Sequence, residues 1–325
     1  MQKRKIWENF LQWVLPCVLL VIALILSIYD FNNKMEIAIQ TVVDDQAEQI
    51  GLYYAAGVED KLKALGNITD AVASIMAARL DRGEAFLNEK LDTLMKASDA
   101  YMVVYCATNG TGFLNDRRQI DMTELNYYDS ILGETPHYLF TRSDGINGQM
   151  AFIYVCPITN SGNVNGYLLS YMEPAEMSDF FENSVYGDKA FFSLVDRNGT
   201  IMACYGATQG TKILQNDFWN SLKGVAESLG SWTLFDRQQQ KGDNGILHVN
   251  ENGVGKILCH FPIADTAWNL VVGIDESYLS GIQQSFRGPI VDLIVKISIS
   301  IAAALIVITV INVLVRIKVS EHRKV

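Results

Sequence analysis

Two stretches break the mixed pattern of hydrophobic and polar positions along this chain. In residues 11–29 only Gln12, Ser27 and Pro16 interrupt an apolar run, and in residues 297–315 the polar members are Ser298, Ser300, Thr309 and Asn312. Each run is apolar on every side of a helix and close to the roughly 20 residues a bilayer-spanning helix needs. After the first run the pattern is amphipathic. Met35, Ile39, Val43, Ile50, Tyr54, Val58, Leu62 and Leu65 recur mostly three or four apart, which predicts a helix over residues 33–65. Gly51 and Gly57 weaken that helix, and Gly66-Asn67 predicts its end. A second helix, capped by Asn67 or Thr69, then runs to about Leu80, and a third covers about residues 84–97.

Beyond Ala97 the period becomes that of strands. Residues 101–106, 138–142, 151–158 and 166–172 read as strands, with residues 160–166 joining the last two. Asn109-Gly110-Thr111 predicts a type I′ hairpin turn. The same order then returns: a strand at 190–196, Asn198-Gly199-Thr200, a strand at 201–205, a helix near 218–229, and strands at 232–235, 256–263 and 269–275. The shared Asn-Gly-Thr turns, and the Pro-Ile pairs at Pro157 and Pro262 that close a strand before another apolar strand, predict an internal duplication.

Charge gives the apolar runs a direction. Residues 1–10 carry net +2 and residues 316–325 net +3, which leaves −15 for the residues between them out of −10 overall. Short basic tails stay on the cytoplasmic side, so both termini are expected there and the acidic middle outside. An acidic middle without a basic stripe argues against nucleic-acid binding. The first run has the basic start of a signal peptide, but no small-x-small cleavage pattern follows, so it reads as a retained anchor. Asp292 and Lys296 stand four apart at the approach to the second run. They are expected at the outer interface, where Lys can snorkel to water; an intramembrane pair is the alternative.

Of five cysteines, Cys17 lies in the first run, while Cys106, Cys156, Cys204 and Cys259 lie in predicted strands. The even count outside the first run permits disulfides. There is no CxxC spacing, and His137, His248 and His260 have no ligand-like spacing, so no metal is expected. No nucleophile elbow, phosphate loop, HExxH or carboxylate pair asks for a cofactor or points to an enzyme.

Several segments resemble the double Cache family of bacterial extracytoplasmic sensors. They are the long helix leaving the first span, "VVYCATNGTGFLND", "IDMTELNYYDSIL", "MAFIYVCPITNSGNVNGYLLSYME" and "ILCHFPIADTAWNLVVGIDESYL", and the likeness covers about residues 30–288. The resemblance implies an α+β fold: a long N-terminal helix carrying two tandem PAS-like antiparallel sheets, here flanked by two transmembrane helices. That fold puts Cys106 and Cys156, and likewise Cys204 and Cys259, on strands separated by another strand, so free, mostly buried thiols are expected. The expected divisions are 1–10 cytoplasmic tail, 11–29 membrane helix, 30–97 helical stalk, 98–180 membrane-distal unit, 181–288 membrane-proximal unit, 289–315 membrane helix and 316–325 the start of a cytoplasmic linker. It further implies a small-molecule ligand in the distal unit, a homodimer in the inner membrane, and an output beyond Val325. That output is first a diguanylate cyclase, then a histidine kinase or chemoreceptor. In amino-acid-binding members an Arg precedes the aromatic pair that here reads Tyr127-Tyr128. That position is Leu125, which removes the bidentate clamp on a ligand carboxylate unless Arg118 or Arg142 replaces it.

The candidate ligand residues are the dense aromatics Tyr101, Tyr105, Tyr127, Tyr128, Tyr138 and Tyr154, with Arg118, Arg142 and Asp144 as the charged groups. Aromatic walls with a few polar groups suit a small-molecule pocket. The plainer alternatives are ordinary strand tyrosines, a solvated hairpin tip at "SDGING" and a solvated loop at Arg117-Arg118. A membrane-anchored enzyme would need a catalytic constellation; a scaffold without ligand would need a distal unit packed solid.

Overall fold

A computed structural model describes residues 2–79, 82–182, 187–206, 214 and 217–322. In chain order the elements begin with α1 (Gln2–Ala77), α2 (Glu84–Ala97), β1 (Met102–Ala107), β2 (Thr111–Leu114), β3 (Gln119–Asp121), α3 (Tyr128–Ile131), β4 (His137–Thr141), β5 (Ala151–Asn160) and β6 (Asn163–Met172). They continue with α4 (Ser178–Glu182), β7 (Ala190–Asp196), β8 (Ile201–Gly206), α5 (Phe218–Lys223), α6 (Leu229–Lys241), β9 (Gly245–Glu251), β10 (Val254–Pro262), β11 (Trp268–Asp275) and α7 (Glu276–His322).

The chain divides into two compact units, residues 46–277 and the paired ends 1–45 with 278–325. In the paired ends, α1 from Val18 and α7 over Ile290–Ile311 each hold an apolar window long enough to cross a membrane. Their large apolar side chains face outward, Leu26 and Ile306 each 62% exposed. That much exposed hydrocarbon suits lipid rather than water. The two helices meet along a groove lined by Leu24, Ile25, Ile28, Val295, Ser298 and Ile299. Asp292 and Lys296 pair across one turn of α7, as their spacing predicts.

Residues 46–277 hold two antiparallel sheets, ordered β3-β2-β1-β6-β5-β4 and β8-β7-β11-β10-β9. Set aside β3 and the two orders coincide, so the duplication read from the turns is a duplication of topology. The turns themselves match. Gly110 N–H bonds Ala107 O at 2.9 Å and Gly199 N–H bonds Asp196 O at 3.1 Å. Gly110 and Gly199 have φ of 88° and 87°, while the preceding Asn residues keep negative φ. This is a type I turn followed by a left-handed glycine, not the expected I′ turn, so Asn109 serves through its side chain, which accepts Thr111 N–H at 3.1 Å.

One face of each sheet packs on α1, and glycines make the close approach. Gly51 faces the ring of Phe261, Gly57 that of Phe180, and Gly66 the Tyr138 hydroxyl and the Tyr154 ring, which would stand 2.9 and 3.2 Å from an added Cβ. Gly66 therefore does not end the helix: α1 runs through it to Ala77, and the glycine is the seat for two tyrosines. The sequence also misplaced residues 232–235, which are helical. Ser228 caps α6 by accepting Ser231 N–H, Gly242 closes it in the left-handed conformation, and Trp232, Phe235 and Gln239 are its buried stripe. The strand that the repeat required is β9, ten residues later. Trp268 joins the two sheets, its ring centroid 5.3 Å from Phe152 and 6.2 Å from Tyr138.

Cys106, Cys156, Cys204 and Cys259 form no disulfide with one another. β6 lies between the first two, whose positions alternate onto opposite sheet faces, and both β7 and β11 lie between the other two, one strand more than the sequence suggested.

Candidate functional site

The face of the first sheet turned away from α1 carries a core built on Met102, Val104, Ile153, Val155, Leu169 and Tyr171, the alternate residues of β1, β5 and β6. Its edge is closed by the loop between β4 and β5. That loop folds around the side chain of Asp144, which is fully buried. One carboxylate oxygen accepts the backbone N–H groups of Ile146, Asn147 and Gly148 at 2.9, 2.7 and 2.7 Å. The other accepts the Tyr101 hydroxyl at 2.8 Å. Tyr127 donates to the Asp144 carbonyl at 2.7 Å and lies 3.2 Å from the Tyr171 hydroxyl. With the Tyr127 proton committed to that carbonyl, Tyr171 is the donor of the second bond. The loop can close so tightly because Gly145 and Gly148 adopt φ of 70° and 78°.

Burial opposes the charge of Asp144, but the N–H groups of Ile146 and Asn147, the Tyr101 hydroxyl and the N–H of Gly148 together outweigh it and hold the carboxyl below its ordinary range. Burial pushes the Tyr127 hydroxyl up to about 12. Burial first, and then the bond to Asp144, raise Tyr101 further. The network is thus an anion held by neutral donors. Among the described residues, no Lys or Arg reaches it.

Beside this loop is a cavity of about 510 Å³ lined by Arg118, Ile120, Asp121, Glu124, Leu125, Asn126, Ser143, Gly145 and Ile146. Its size is in the range of small-molecule sites. Arg118 is already engaged, with Nε on Asp116 at 2.6 Å and a terminal nitrogen 3.3 Å from Asn147 Oδ1. Asp121 accepts the Thr123 hydroxyl and N–H at 2.6 and 2.9 Å, which hold its carboxyl below the ordinary range. Leu125 leans on the core and under Gly145.

The structure sorts the candidate residues by sheet face. Tyr101, Tyr127 and Asp144 form one network, and Arg118 lines the adjoining cavity. Tyr128 packs on the same core beside the Gly110 turn. Tyr138 and Tyr154 lie on the opposite face, where their hydroxyls bond Leu62 O at 2.9 Å and the Asp70 carboxylate at 2.9 and 3.0 Å. Tyr105 is also on that face, lining a separate cavity of about 330 Å³ with Met76, Phe86, Leu87 and Phe113. Arg142 is exposed and outside the lining. Tyr171, Asp121 and Glu124 were not singled out from the sequence. Tyr171 was legible in the alternation of β6, whereas the two acids come in only through the turn that follows β3.

No family model matches the chain, and no curated protein matches it. Solved structures do. The ligand-binding domain of the Pseudomonas fluorescens chemoreceptor CtaA, in complex with L-isoleucine, is 14% identical and superposes with a TM-score of 0.59, covering 76% of this chain and 98% of that one. The extracellular domain of the putative histidine kinase rpHK1S-Z16 is 16% identical, with a TM-score of 0.55 over 74% of this chain and 97% of that one. The Campylobacter jejuni chemoreceptor Tlp3 domain with L-valine is 15% identical, with a TM-score of 0.55 over 74% and 95%. At such identities the likeness speaks for the fold: residues 46–277 have the double Cache fold of extracytoplasmic sensor domains.

Proposed function

We propose that this chain is the sensing part of a two-pass membrane receptor, and that its first sheet unit binds a small molecule bearing a cationic group in the cavity beside Asp144. The carrying observation is electrostatic. Asp121 and Glu124 line the cavity, the Asp144 carboxylate, held by neutral donors, belongs to the loop whose Ser143, Gly145 and Ile146 also line it, and the one lining cation, Arg118, is tied to Asp116. The two chemoreceptor domains named above hold L-isoleucine and L-valine, whose carboxylate needs a cation. Here Leu125 occupies the position where the resemblance expects an arginine, so an amine without a free carboxylate fits better.

The basic tails place both termini in the cytoplasm and residues 30–288 outside. The unit at 98–180, which holds the ligand, is then distal to the membrane and the unit at 181–288 proximal, and the working receptor is a homodimer. Binding shifts the helices by the ligand's affinity difference between two sheet–helix arrangements. By family analogy the output is a diguanylate cyclase, with a histidine kinase or chemoreceptor as the alternative. The test is ligand-induced stabilisation of the purified chain by small amines and by amino acids. Leu125→Arg, which returns a cation to the cavity, should weaken amine binding roughly tenfold, the effect of one like charge at about 6 Å and intermediate dielectric. Tighter binding of amino acids than of amines by the unmodified chain would overturn the cationic assignment.

A further inference from the structure

The second sheet unit contains a group the ligand site does not use. His260 sits mid-strand on β10 and is fully buried. Neither ring nitrogen has a hydrogen-bond partner. The Phe235 ring of α6 meets it edge-on at 4.5 Å and 90°, and the Trp219 ring of α5 lies 6.3 Å away. On the neighbouring strand it is seated against Gly245, where any Cβ would collide with Nε2. A neutral imidazole has one donor and one acceptor nitrogen, and both are idle here, which costs the closed state stability.

We propose that this unit is a proton sensor whose reading element is His260: acid favours a state in which α5 and α6 release the sheet and the imidazole gains partners for its charge. The surroundings offer a positive charge no charged partner in the closed state. In its cross-strand row the neighbours are Gly245, Val271, Ser193 and then Cys204, a thiol that burial keeps protonated. Farther along the same face, Glu251 and Lys256 pair at 2.9 Å beyond Leu258, with Asp275 beside them at the strand ends. The charged residues of the covering helices, Lys223 on α5 and Asp236, Arg237 and Lys241 on α6, are outside the buried stripe. Acceptors do wait nearby. Asn269 Oδ1 is buried without a partner, two residues along β11 from Val271, and Gln238 Oε1 lies 3.0 Å from the same Gly245 Cβ position that Nε2 overlaps.

Burial lowers the His260 pKa from about 6.5 to about 4, against a weaker upward pull from the Phe235 backbone, which lies outside hydrogen-bonding geometry. The opened state therefore binds the proton more readily than the closed one. The closed state is at full strength above pH 6.5 and loses ground as pH falls toward 4.

The experiment uses the full chain in detergent. Trp219 and Trp232 fluorescence reports release of α5 and α6, and the imidazole resonance missing in His260→Gln reports protonation. The expected result is an opening constant that rises about tenfold per pH unit between about 6.5 and 4, a rise that His260→Phe abolishes. Equal pH dependence in both proteins would overturn the proposal. Should His260→Phe not fold, the resonance decides: a midpoint near 4 moving together with the fluorescence supports the sensor, and a midpoint near 6.5 without a fluorescence change overturns it.

Discussion

Gly51→Ala measures how firmly α1 is seated on the second sheet. In an exposed helix the exchange would stabilise by about 0.5–1 kcal/mol, because alanine has the higher propensity. Here the new methyl would stand inside the ring of Phe261, which is 1% exposed. The ring is fixed on β10 in register with Leu270, so neither it nor the helix backbone can yield freely. Forcing a methyl into a filled site costs about 1–3 kcal/mol. With the added methyl only 1.9 Å from a ring carbon, the clash belongs to the upper part of that range, about 2–3 kcal/mol, and taking off about 1 kcal/mol of propensity leaves a net loss of roughly 1–2 kcal/mol. At about 2–4 °C per kcal/mol for a unit of this size, the melting temperature falls by about 2–8 °C. Gly57→Ala meets Phe180, which is only half-buried and can swing aside, so its loss is smaller. Adding Phe261→Leu to Gly51→Ala should recover part of the loss, with a coupling of at least about 1 kcal/mol in the double-mutant cycle. A melt that stays level or rises with Gly51→Ala would refute the seating.

Two further outcomes follow from the packing. Trp268→Ala removes the ring between the sheets and should cost about 3–5 kcal/mol, splitting one calorimetric transition into two; a single unchanged transition would contradict the coupling of the two sheets. Burial pushes the Cys106, Cys156 and Cys204 thiols up to about 11, 12 and 11. An aromatic disulfide reagent at pH 8 should therefore react slowly with the outer cysteines until denaturant is added, and a reductant should leave the melting temperature unchanged, whereas a fall on reduction would reveal a disulfide.

Topology was the most legible part of this protein. Short, largely apolar runs at residues 101–106, 151–158 and 190–196 and the paired Asn-Gly-Thr turns carried both sheets, because run length and turn chemistry are local properties. The failures were tertiary. Gly66 looks like a stop in one dimension and is a socket in three, since the tyrosines it admits lie more than seventy residues away. Residues 232–235 have strand-forming side chains, but Ser228 and Gly242 set the boundaries of a helix around them. For the site, sequence could gather the tyrosines but not sort them. Tyr154 and Tyr101 look alike along the chain, yet opposite faces of one sheet send the first to Asp70 on α1 and the second to Asp144. The fully buried Asp144 looked equally like a solvated hairpin tip, because three N–H bonds from its own loop come only with the folded turn.

The central claim is that a small cation fills the cavity beside Asp144, and the most direct measurement is the melting temperature of the full chain with amines present. At 100 times its dissociation constant, a cation specific for the folded state adds about 2.7 kcal/mol, a rise of roughly 5–11 °C. Ser143→Trp, which fills the cavity, should abolish the rise. If no amine raises the melt, or if the rise survives Ser143→Trp, the account is contradicted.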